Sequence, residues 1–143
     1  MPATREFKMT HRVEFADTDM AGIAHFSSLL RYMEVTEHAF FRSMGFSIAM
    51  AETHKVGWPR ARVELDFKAP LKFEDEVEAR LTVRELKEKS VTYDFVFAKI
   101  RPEPAIEVAR GSMTVVCVTR DASGAMKATA IPQAVARKIG AKK

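Results

Sequence analysis

Between Phe15 and Phe26 the chain changes period, and that change leaves few folds open. Upstream, over residues 8–15, Met9, His11, Val13 and Phe15 alternate with Thr10, Arg12 and Glu14, the period of two of a half-buried strand. Downstream, Phe26, Leu29, Leu30, Met33, Glu37, Phe40, Phe41 and Met44 recur at helical spacing, and Gly45 stands where a helix C-cap belongs. The opposite face is mixed, with Arg31, Glu34, His38 and Arg42. A short further helix is expected over residues 46–54. Past Gly57 the pattern is strand after strand: Ala61, Val63, Leu65 and Phe67; Val77, Ala79, Leu81 and Val83; Val91, Tyr93, Phe95 and Phe97; then a long run over residues 106–119. Gly111 inside that last run predicts a bulge or a close backbone approach. Asp121-Ala-Ser-Gly124 is turn chemistry, and Ile131-Pro132 opens a last short helix through residue 139. One strand, one long helix and four strands with short connections predict an α+β fold, an antiparallel sheet packed on that helix in one domain spanning residues 1–143.

Composition narrows the function classes. No apolar run is long enough to span a membrane, and the opening residues are too polar for a secretory leader. The single cysteine, Cys117, excludes an internal disulfide, so a cytoplasmic location is expected. The net charge of +4 owes much to Lys127, Arg137, Lys138, Lys142 and Lys143 near the C-terminus. No basic stripe interleaved with aromatics accompanies them, so a solvated tail is expected and no nucleic-acid partner.

The elimination extends to mechanism. There is no Gly-x-Ser-x-Gly elbow, and Ser112 follows a glycine inside a strand pattern. Cys117 sits in the apolar Val115-Val-Cys-Val118 run, where a buried thiol is inert. The histidines His11, His25, His38 and His54 show no metal-like pairing, and no phosphate-binding glycine pattern occurs, so neither metal nor cofactor is expected. What remains is Asp17-Thr18-Asp19, two carboxylates in a loop before a helix start. Such acids cap a helix or tie down a loop, or they face the exposed N–H groups of the helix terminus and share a pocket with donors for an oxyanion.

The block Val13-Glu-Phe-Ala-Asp-Thr-Asp-Met-Ala-Gly-Ile, followed by Leu30-Arg-Tyr-Met-Glu34, resembles the signature of hot-dog-fold acyl-CoA thioesterases of the 4-hydroxybenzoyl-CoA thioesterase type, a group that includes Tol-Pal-associated thioesterases. The likeness extends over nearly the whole chain. It implies a hot-dog fold, a five-stranded antiparallel sheet wrapped around the long helix, and hydrolysis of an acyl-CoA. It also implies that Asp19 is the catalytic carboxylate, nucleophile or general base, and that the Phe26 backbone N–H polarises the thioester carbonyl. Asp17 and Thr18 are implied as loop-shaping residues. Gly22 is read as letting the backbone come close to the substrate. Where relatives carry an aromatic, then Tyr or His, then Asn, this chain has His25, Phe26 and Ser28. His25 either lines the pocket or is a satisfied loop histidine, and Ser28 stands in for the Asn. Lys87, Lys89 and Ser90 map onto the basic turn that holds coenzyme A phosphates in relatives, though they also fit an ordinary charged turn. The resemblance implies a homodimer at least, and a tetramer is common in the family. Apolar residues on both faces of the strands around residues 91–100 and 106–119 point to the sheet edges that pair. A non-catalytic acyl-CoA or acyl-carrier-protein binder and a hydratase or dehydratase on the same fold are the alternatives.

Overall fold

The computed structural model describes residues 5–50 and 54–140. Strand β1 (Glu6–Arg12) leads through a single 3-10 turn (Phe15–Asp17) and a loop into helix α1 (Phe26–Ser43). Strands β2 (Arg60–Phe67), β3 (Glu76–Leu86), β4 (Ser90–Arg101) and β5 (Ile106–Val116) follow. A small hairpin, β6 (Val118–Arg120) with β7 (Met126–Ala128), and helix α2 (Gln133–Gly140) complete the chain. The first five strands form one sheet in the order β1-β3-β4-β5-β2, every neighbouring pair antiparallel. This is the antiparallel sheet that the strand pattern predicts, in the hot-dog arrangement that the resemblance implies.

The period of two puts Val77, Ala79, Leu81 and Val83 of β3 on the same face as Val91, Tyr93, Phe95 and Phe97 of β4. Against that face α1 buries Leu29, Tyr32, Met33, Phe40 and Phe41. Each such side chain contributes roughly 1.5–3 kcal/mol through burial, and this contribution outweighs any intrinsic helix propensity. The helix ends in a Schellman motif: Gly45 at φ +89° donates to the Arg42 carbonyl, and Phe46 N–H to that of Phe41.

Several expectations are corrected. Phe15 leaves the strand, enters the 3-10 turn and is 77% exposed. Phe26 and Leu30 keep the helical spacing of the apolar face but sit at its exposed margin. Residues 46–50 are not helical, and 51–53 lie outside the described residues. The long last strand breaks at Cys117, whose N–H donates to the Lys89 carbonyl, and Val118 then pairs with β7. The strands β4 and β5 are interior, not edges; the edges are β1 and β2. Gly111 does mark a close approach: a Cβ there would stand 1.9 Å from the Glu64 carbonyl oxygen on β2.

Candidate active site

The loop between β1 and α1 is built on Asp17. Its carboxylate accepts from the Glu14 N–H at 2.9 Å, from the Tyr32 hydroxyl at 2.8 Å, and from the Arg31 guanidinium. Its carbonyl accepts from the His25 N–H at 2.7 Å and the Ser28 hydroxyl at 2.8 Å. Burial alone would raise the Asp17 carboxyl, but the Glu14 N–H, Tyr32 and Arg31 outweigh it and hold the group below its ordinary range. Burial and the Asp17 charge in turn push the Tyr32 phenol well up. His11 stacks on Tyr32 with ring centroids 4.6 Å apart and bonds Thr36 Oγ1 at 2.9 Å.

Above that anchor the chain makes a tight hairpin. Thr18 bridges Ala24, Asp19 N–H donates to the Ile23 carbonyl, and Gly22 N–H donates back to the Asp19 carbonyl. Gly22 sits at φ +80°, and a Cβ there would meet nothing within 4 Å. The left-handed turn alone is sufficient reason for glycine here. The Thr18 hydroxyl donates to the Phe15 carbonyl. One Asp19 carboxylate oxygen accepts from the Ala21 N–H at 2.9 Å, which fixes its direction across the turn.

His25 is the N-cap of α1: its Nδ1 accepts from the Ser27 N–H, as a capping oxygen would. Phe26 is the first helical residue, and among the described residues no backbone or side-chain acceptor takes its N–H. Asp19 and Phe26 line one cleft of about 510 Å³, with Ile23, Ala24 and Leu29 on one side and residues 67–71 on the other. The Ala24 N–H donates to the Leu71 carbonyl at 2.7 Å and so pins the hairpin to the far wall.

The structure thus brings together Asp17, Thr18, Asp19, Gly22, His25, Phe26 and Ser28. It does not bring Lys87, Lys89 and Ser90 to them within one chain. The loop leaves β1 beside Asp75, whose carbonyl accepts the Val13 N–H, whereas Lys87 lies past the other end of β3. Twelve residues of extended chain separate the two ends, roughly 40 Å at about 3.3 Å per residue. Sequence reasoning missed Arg31 and Tyr32 as partners of Asp17. The available signal was Tyr32 itself, since a tyrosine on a buried helix face needs a partner for its hydroxyl.

The sequence profile of the Thioesterase-like superfamily matches residues 13–139. A putative esterase of Aquifex aeolicus is 30% identical over 93 residues, 65% of this chain and 73% of that protein. A gentisyl-coenzyme A thioesterase structure superposes with a TM-score of 0.78 at 30% identity, covering 94% of this chain and 100% of that one. The 4-hydroxybenzoyl CoA thioesterase of Pseudomonas sp. strain CBS-3 shares the fold with a TM-score of 0.85 at 20% identity, covering 94% and 99%. The superfamily profile spans nearly the whole chain and the fold agrees with it: the chain belongs to the thioesterase-like superfamily.

Proposed function

We propose that the protein hydrolyses an acyl-CoA thioester to the free acid and coenzyme A. Asp19 serves as nucleophile or as general base for water. The Phe26 N–H, at the positive end of α1, stabilises the oxyanion that forms when the carbonyl is attacked. The observation that carries this reading is that half-buried Asp19 and Phe26, whose N–H has no acceptor among the described residues, line one cleft. The acyl-CoA substrate is supported by the gentisyl-coenzyme A and 4-hydroxybenzoyl CoA activities of the similar structures.

The site is completed by a second copy of the chain. Lys87, Lys89 and Ser90 are remote from Asp19 within one protomer, so their role toward coenzyme A phosphates requires the turn of one protomer to meet the loop of its neighbour. Edge strand β2 offers the surface: Val63 and Phe67 on it, and Phe26 and Leu30 beside it, are apolar and exposed.

Incubation with a panel of acyl-CoAs and a thiol reagent tests the reading. Release of free coenzyme A is the expected result. Binding without release identifies a non-catalytic binder, and acyl-chain change without a free thiol identifies a hydratase; either overturns it.

A further inference from the structure

Asp17, a residue that has no place in the lining of the cleft, accepts five hydrogen bonds. Three end on its carboxylate and two on its carbonyl. The carboxylate bonds reach back to Glu14 and across to Arg31 and Tyr32, fourteen and fifteen residues along the chain on α1. The carbonyl bonds reach His25 and Ser28, on either side of Phe26. Asp17 is therefore the point at which the loop is locked to the same helix whose first residue, Phe26, shares a cleft with Asp19. Two residues after Asp17 comes Asp19, and the N–H of His25 precedes that of Phe26 by one. Any slip of Asp17 along α1 changes the separation between attacking carboxylate and oxyanion donor.

We infer that Tyr32 and Arg31 are positioning residues that act through Asp17, setting the distance between the Asp19 carboxylate and the Phe26 N–H. This inference rests on the proposed role of Asp19. Neither side chain touches the reacting atoms. Tyr32 is 1% exposed and is stacked on His11, so its hydroxyl has one direction to point, toward Asp17. Arg31 is half exposed, stands over the Tyr32 ring at 5.2 Å, and grips the other carboxylate oxygen. Reaction rates fall steeply with misplacement: a 1 Å error in a catalytic group costs on the order of 10²-fold.

The experiment compares Tyr32→Phe, Arg31→Gln and Arg31→Lys with Val135→Ala, a fully buried α2 residue remote from the loop that supplies a matched loss of stability. Tyr32→Phe and Arg31→Gln should each lower kcat by roughly tenfold to a hundredfold with KM changed less than twofold. Arg31→Lys should recover part of the loss, and Val135→Ala should lower Tm while keeping kcat. Amide exchange gives a readout independent of turnover: the His25 and Ala24 N–H groups should exchange on the order of tenfold faster in Tyr32→Phe, the factor that ~1.4 kcal/mol of lost tether implies. Unchanged kcat and unchanged exchange in Tyr32→Phe overturn the inference. So does a kcat loss in Val135→Ala equal to that in Tyr32→Phe, because the effect is then one of stability. Asp19→Asn run alongside separates the two levels: full activity there removes the catalytic role of Asp19, whereas an inactive Asp19→Asn beside a normal Tyr32→Phe removes the positioning role alone.

Discussion

Glu37, in the middle of α1, accepts a hydrogen bond from Arg60, at the start of β2, across 2.7 Å. The Glu37 side chain is fully buried, and its second oxygen has no hydrogen-bond partner among the described residues. Glu34 reaches the same guanidinium at 3.8 Å, and His38 approaches Glu37 at 4.0 Å. The pair ties the helix to the edge strand beside a cavity of about 320 Å³ floored by Met33 and Met113.

Burial raises the Glu37 carboxyl to about 7, with Arg60 opposing and Glu34 adding to the rise. The folded chain therefore holds this proton more tightly than the unfolded one. The resulting stabilisation is present below the ordinary carboxylate range and is lost as pH rises through about 7. His11 works in the other direction. Burial, with Arg31, lowers it to about 4 against the Asp17 charge, so its stabilisation is present above about 6.5 and is lost as pH falls through about 4. The windows overlap and oppose, so each masks part of the other's pH dependence in the wild type. In urea unfolding from pH 4 to 8, Glu37→Gln should unmask a stability that rises with pH. His11→Asn should unmask one that falls, each by on the order of 1–3 kcal/mol. A Glu37→Gln profile that overlays the wild type contradicts this assignment.

At the loop, Asp19→Asn should abolish turnover while leaving the fold and acyl-CoA binding intact, since it keeps size and removes the charge that attacks or deprotonates. Loss of a general base typically costs about 10²–10⁴ in rate. Asp17→Asn should cost less in kcat and more in loop order, because an amide cannot accept all three of the bonds that the carboxylate takes. Equal losses in two well-folded variants would dissolve the distinction between the acids.

Much of this arrangement is legible in the sequence, and the parts that are not share a cause. Local periodicity predicted α1 and the inner face of the sheet because burial of one face is a near-neighbour property. It misassigned Phe15, since a strand pattern cannot announce that the loop anchored by Asp17 has already begun. It placed the sheet edges at β4 and β5, because half-buried outward residues such as Val96 and Ala98 look alike in central and edge strands; only the pairing order, which is non-local, separates them. Arg31 read only as part of the helix's mixed face and Glu37 as a member of the helical repeat, because their partners Asp17 and Arg60 are fourteen and twenty-three residues away.

At Gly111 the backbones of β2 and β5 leave no room for a side chain. In Gly111→Ala the new Cβ would fall 1.9 Å from the Glu64 carbonyl oxygen, backbone that cannot rotate aside. The strand pair from Arg62↔Thr114 to Phe67↔Ala109 must then shift. A loss of at least about 2 kcal/mol is expected, measured as a lower urea midpoint, with faster amide exchange along β2. Gly22→Ala meets no atom and only the left-handed φ, so about 1–2 kcal/mol is expected there.

Reversing charge at Lys87 and Lys89 should raise KM for acyl-CoA and leave kcat at saturation largely unchanged, because contacts to the nucleotide end persist from ground state to transition state. Both lysines are exposed, so the effect should shrink with added salt. An acyl-N-acetylcysteamine thioester, which lacks the nucleotide, should not sense the change. Equal damage toward both substrates would take the turn out of the binding site.

Assembly follows from β2. As an edge strand it leaves one row of backbone N–H and C=O groups unpaired, and Val63 at 39% and Phe67 at 53% exposure stand along it. Phe26 and Leu30 add to the same seam from α1, at 62% and 39%. A long apolar edge of this kind is an aggregation hazard unless another chain covers it. Pairing β2 with a second β2 would close both rows and cover both seams, with the Arg60 and Asp19 ends of the two protomers running in opposite directions. The expected species in solution is therefore a dimer or a dimer of dimers. Val63→Glu should dissociate it, since an uncompensated charge would be buried at the centre of the pairing. KM for acyl-CoA should rise in that variant at least as far as in the Lys87 and Lys89 charge reversal, because each Asp19 loop would lose the neighbouring turn that carries those lysines. Light scattering at dilute concentration, run beside the thiol-release assay, measures both quantities on one sample. A wild-type species of 16.1 kDa with full activity would refute the shared site.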